Sequence, residues 1–109
     1  MALFRRRAPR KAAAPVERSQ INEHLANFAS SRLGVEAYIE PATNITPTTV
    51  LLIATTGEWT RRPVASPAAA RQLAAKLGLP VYDVNFTGYP PRMRQWDQAN
   101  RGRVAPPPG

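Results

Sequence analysis

The chain of 109 residues has no cysteine, a single histidine and only 7% aromatic residues. Without cysteine there is no disulfide, no thiolate nucleophile and no Cys-ligated metal. His24 has no second histidine to share a metal. It also has no nucleophile or acid at a spacing that would make it a general base, so it reads as an ordinary surface or boundary histidine. Carboxylates occur singly, and neither G-x-G-x-x-G nor G-x-x-x-x-G-K is present, so no phosphate or dinucleotide cradle is expected. The longest apolar run, residues 50–54, is far too short to span a bilayer. The basic residues near the start are followed by Ala, Pro and more bases rather than by an apolar run, which argues against a signal peptide and for a cytoplasmic location. The acid-poor first sixteen residues have the composition of a transit peptide, but no amphipathic helix accompanies it. No catalytic residue, metal ligand or cofactor is therefore expected.

Charge and proline are abundant. Fifteen Lys and Arg stand against seven Asp and Glu, for a net +8. Thirteen of the fifteen bases are Arg, which with much Ala and Pro suggests a GC-rich, bacterial coding sequence. The distribution is uneven. Residues 1–18 hold Arg5, Arg6, Arg7, Arg10, Lys11 and Arg18 against Glu17, a net +5. Residues 19–84 balance Arg32, Arg61, Arg62, Arg71 and Lys76 against Glu23, Glu36, Glu40, Glu58 and Asp83. Residues 85–109 hold Arg92, Arg94, Arg101 and Arg103 against Asp97, a net +3. Basic ends on a neutral middle attract polyanions through long-range fields and counterion release. Residues 1–18 have almost no core-forming side chains and read as a disordered basic tail. Residues 101–109, with three consecutive prolines, read as a disordered Pro-rich tail of polyproline character. Residues 19–100 are left as one domain.

Periodicity assigns elements to that domain. Ser19 can cap a helix whose apolar face is Ile21, Leu25, Phe28, Ala29 and Leu33, with Gly34 as its stop. Val35, Ala37 and Ile39 alternate with Glu36, Tyr38 and Glu40, which predicts a strand with one wet face. Residues 49–55 form a continuous apolar run, the expected central strand. A turn at Thr56, Gly57 and Glu58 leads into a hairpin arm over residues 59–64, placed at an edge by Pro63. Ser66 and Pro67 open a second helix with Ala69, Ala70, Leu73, Ala74 and Leu77 on one face, ended by Gly78. Residues 80–86 alternate as a last strand, and residues 92–100 form a terminal helix between Pro91 and Gly102. The expected fold is α+β: a small two-layer sandwich of three to four mostly antiparallel strands with helices on one face, in the order α-β-β-β-α-β-α.

Three local patterns touch on function. Leu73, Ala74, Leu77, Gly78, Leu79 and Val84 have helix-turn-helix spacing, but residues 81–89 contain β-branched and aromatic residues, a glycine and no base, which suits a strand. Both readings stay open. Arg61 and Arg62 follow Trp59, and Tyr89, Arg92, Arg94 and Trp96 lie together. Bases among aromatics are what single-stranded nucleic acids bind, with Arg92 and Trp96 one helical turn apart and able to stack. The same residues equally describe a structural cover, with Tyr89, Met93 and Trp96 packed on the sheet and the arginines reaching outward. Asp83 is the best isolated carboxylate and has no partner in sequence.

The stretch 34–96 resembles small basic proteins of high-GC actinobacteria, some of which carry an oxidoreductase label. The similarity rests on Gly57 to Thr60 (GEWT), Ser66-Pro67, Leu77 to Asp83 (LGLPVYD) and Gly88 to Pro90 (GYP). It implies no catalytic residues. The expected function is a non-enzymatic binding protein whose basic tails contact a polyanion such as RNA, DNA or a ribosome, while the neutral core contacts protein. Candidate contact residues are Arg5, Arg6, Arg7, Arg10, Lys11, Arg61, Arg62, Arg92, Arg94 and Trp96. The alternatives are an interaction module that self-associates through the arm at 59–64, and a small enzyme or accessory subunit of an oxidoreductase.

Overall fold

Residues 50–53 are a continuous apolar run, the composition that a strand buried on both faces requires. With Thr49 they form β2 (Thr49–Ile53), from which the sheet extends to both sides. The computed structural model describes residues 15–101. The remaining elements are α1 (Pro15–Ser31), β1 (Glu36–Glu40), β3 (Trp59–Pro63), α2 (Pro67–Lys76), β4 (Val81–Asp83), α3 (Val84–Thr87) and α4 (Pro91–Ala99). The sheet order is β3-β2-β1-β4. β1 is antiparallel to β2, β2 is antiparallel to β3, and β4 joins β1 in parallel. β3 and β4 thus run the same way on opposite edges, and α2 is the crossover between them. The α+β class and the mostly antiparallel sheet agree with expectation. None of the helices among the described residues is long and apolar enough to cross a membrane.

Register divides the side chains between two faces. Ala37, Ile39, Val50 and Leu52 face one way and form a buried cluster with Leu25 and Phe28 of α1 and Ala70 and Ala74 of α2. Tyr38, Leu51 and Ile53 face the other way and are covered by Trp59 and by Met93 of α4. The expected placement of helices on one face is therefore corrected: α4 makes a third, partial layer on the second face. The strand at 36–40 has no wet face either, because Tyr38 is buried and both glutamates are half-buried.

Capping explains most of the boundaries. Ser66 Oγ accepts from Ala69 N at 3.0 Å, and Pro67 occupies the first turn of α2, as the sequence predicts. α1 begins at Pro15 rather than at a Ser19 cap, with Glu17 in a first turn where negative charge suits the helix dipole. The expected tail boundary at residue 18 thus moves; the calls on residues 1–14 and 102–109 lie outside the described residues. α1 also ends early. Ser31 Oγ donates back to Asn27 O at 2.7 Å, and Leu33 falls in the connection, 84% exposed. Its carbonyl accepts from Thr55 N, so its backbone is used although its side chain is not.

The 73–84 segment is a helix followed by a strand, not a helix-turn-helix. β4 stops after three residues because Asp83 Oδ1 accepts from Asn85 N at 2.8 Å and caps the single turn α3. Phe86 leaves the ladder and is 88% exposed. Asp83 is thus a cap. α4 starts at Pro91 as expected.

The β2–β3 turn is fitted to α4. Gly57 is buried at φ +95°, and a Cβ there would meet Arg92 O at 2.1 Å and Trp96 Cβ at 2.9 Å. Gly78, at φ +71°, faces open space. Gly57→Ala should cost about 2–5 kcal/mol, from left-handed strain plus overpacking. Gly78→Ala should cost about 1–2 kcal/mol, from strain alone. The urea midpoints of the two variants, compared with the parent chain, check this difference.

Candidate functional site

The second face of the sheet gathers Arg61 and Arg92, two of the charged side chains singled out by sequence. Arg61 leaves β3 toward Glu40 of β1. Its Nε and Nη2 donate to the two carboxylate oxygens at 2.7 and 2.8 Å, a bidentate pair. Glu40 also accepts from Thr49 Oγ1 at 2.7 Å and from Tyr89 OH at 2.5 Å, and its side chain is 13% exposed. Burial opposes ionisation of Glu40, and the donors from Arg61, Tyr89 and Thr49 outweigh it, so its pKa lies below the usual carboxylate value. The Arg61 guanidinium also sits 5.1 Å from the centre of the Trp59 ring.

One step along the same face, Arg92 of α4 turns inward. Its Nε donates to Ala54 O at 2.9 Å and its Nη2 to Glu36 Oε1 at 2.8 Å. Glu36 also accepts from Tyr38 OH at 2.9 Å. The Arg92 donor holds the Glu36 carboxyl below its ordinary range. Burial and the adjacent carboxylate push the Tyr38 hydroxyl up to about 12. Trp59 Nε1 donates to Asp97 Oδ1 at 2.8 Å, which ties the far end of α4 to the hairpin.

A third pair closes the other end of the hairpin. Arg32, just past α1, holds Glu58 through Nε at 3.0 Å and Nη2 at 2.7 Å, with its guanidinium 4.2 Å from the Phe28 ring centre. The pairing lowers the Glu58 pKa. A cleft of about 460 Å³ opens beside it, between His24, Phe28, Arg32, Glu58 and Trp59. His24 Nε2 lies 2.8 Å from Thr60 Oγ1. Burial, with Arg62 and Arg32 nearby, lowers the His24 pKa and favours the neutral ring. Thr60 is 3% exposed, so this contact joins α1 to β3 and does not present a nucleophile to solvent.

The predicted contact residues therefore divide. Arg61 and Arg92 are committed to carboxylates. Arg62 Nη1 donates to Arg61 O at 2.7 Å. Arg94 is exposed on α4, and Trp96 is half-buried over Gly57. Arg5, Arg6, Arg7, Arg10 and Lys11 lie outside the described residues. Of the cover expected from Tyr89, Met93 and Trp96, Met93 packs on the second-face cluster and Trp96 is half-buried, while Tyr89 is 49% exposed and Arg92 points into the sheet rather than outward. β3 is an edge strand, as Pro63 suggests.

Sequence reasoning missed a groove of about 720 Å³ between α1 and α2, floored by Pro63, Val64 and Ala65. Its only sequence signal is the run of alanines in α2, which supplies short side chains where two helices diverge. Among the described residues no cluster of three His, Cys, Asp or Glu is placed to hold a metal ion. No protein-family model matches the chain, and no curated protein or solved structure matches it either.

The lowered pKa values make stability depend on pH in two windows. Unfolded His24 protonates more readily than native His24, so its contribution is complete above about pH 6.5 and is lost as pH falls below that value. Glu36, Glu40 and Glu58 contribute fully above about pH 4.5, and that contribution is lost as pH falls further. Urea unfolding from pH 8 to 3 should show both declines. His24→Gln should abolish the upper one and leave the lower one.

Proposed function

We propose that this is a binding protein without catalytic chemistry, whose terminal basic segments contact a polyanion while the folded body serves as a nearly neutral carrier. The observation that carries the reading is how the charge divides along the chain. Residues 15–101 hold nine Lys or Arg against seven Asp or Glu, a net +2. The other +6 lies at positions 1–14 and 102–109. Within the body, Arg32, Arg61 and Arg92 are neutralised by Glu58, Glu40 and Glu36. A polyanion approaching the chain thus meets most of its net charge at Arg5, Arg6, Arg7, Arg10 and Lys11. Phosphate contacts of this kind give sequence-independent affinity that falls steeply with salt. RNA and DNA share the phosphate chemistry, and the binding mode does not require a base-reading surface.

Binding of a mixed-sequence duplex DNA should weaken linearly in log Kd against log salt. Replacing Arg5, Arg6, Arg7, Arg10 and Lys11 together by Ala should make that slope shallower by up to about 4.5, at about 0.9 per lost phosphate contact. Fluorescence anisotropy at four salt concentrations measures it. An unchanged slope would remove these residues from the interface.

A further inference from the structure

We propose that the groove between α1 and α2 is a binding site for a single-chain anionic amphiphile, an acyl chain ending in a carboxylate. The groove is separate from the basic positions discussed above and from the charged second face of the sheet. Its walls are Ile21 of α1 and Ala69, Leu73 and Ala75 of α2, and its floor includes Pro63 and Val64. Ile21, Val64 and Leu73 pack at the margin of the main core and are only half-buried, so apolar surface remains for a ligand to cover. Ala69 and Ala75 are too short to fill the gap between the helices, and about 720 Å³ stays open. That volume falls within the roughly 300–1,000 Å³ of ordinary ligand clefts.

Charge selects the ligand. Among the described residues, Arg18 and Lys76 are the charged residues lining the groove, one from each helix, and no carboxylate lines it. An apolar chain with an anionic end matches both features: the chain covers Ile21, Val64 and Leu73, and the head lies near a cation. A bilayer surface requires projecting apolar side chains, and these are recessed.

Isothermal titration with dodecanoate below its micelle concentration tests the site on the full chain. One-to-one saturable binding is expected. Lys76→Glu and the groove-filling Ala75→Trp should each weaken it at least tenfold, and Gln98→Glu on α4 should not. Dodecyltrimethylammonium, with the same chain and opposite charge, should bind at least tenfold more weakly. Both groove variants change exposed helix positions, and their urea midpoints verify folding. Equal binding of the two amphiphiles, or binding unchanged in both groove variants, overturns the proposal. So does preference for anionic vesicles over the free acid, or a parent dimer that Ala75→Trp converts to monomer, since the groove would then belong to a membrane or to a second copy.

Discussion

The structure depends on the inward-turned guanidinium of Arg92. A mixed sheet with apolar side chains on both faces needs cover on both. The first face receives two helices. The second receives, among the described helices, the nine residues of α4, which is too short to hold itself in place as an isolated helix. Arg92 supplies the anchor by donating to Ala54 O on the β2–β3 connection and to Glu36 on β1. Those bonds seat Met93 over Tyr38, Leu51 and Ile53, and Trp96 over Gly57. A long cation thus behaves as an internal fastening, and the glycine beneath the helix backbone is what lets it approach closely enough.

The same device recurs. Arg61 with Glu40 and Arg32 with Glu58 each join elements distant in sequence through paired nitrogen and oxygen contacts. Exposed pairs of this kind contribute modestly one at a time. Their larger consequence is electrostatic: three of the nine cations among residues 15–101, a stretch of net +2, are paired with carboxylates.

Local signals were legible in the sequence where chemistry and period agreed. The Ser66 cap with Pro67, the apolar run of β2 and the hairpin at Gly57 all stand as read. Long-range partners were not legible. Glu36 and Glu40 alternate with buried residues and so look solvated, and nothing local says that Arg92, 56 positions on, or Arg61, 21 positions on, will cover them. The extent of the last strand was misread for a related reason: strand propensity extends to Phe86, but one side-chain bond from Asn85 N to Asp83 breaks the ladder first. Leu33 has helical spacing, yet the helix ends at Ser31 and the periodicity outlasts it. The groove was invisible because it is made of what is missing, the side-chain volume that alanines do not supply.

Titration of the glutamate side-chain carboxyl carbons by NMR on the full chain tests most directly whether the body absorbs its own arginines. Glu36, Glu40 and Glu58 should each titrate below the ordinary glutamate value, and each should return toward it when its partner, Arg92, Arg61 or Arg32, is replaced by Gln. Ordinary titration of all three in the parent chain would contradict the account, since the arginines would then be directed to solvent and the folded body would itself be the cationic surface.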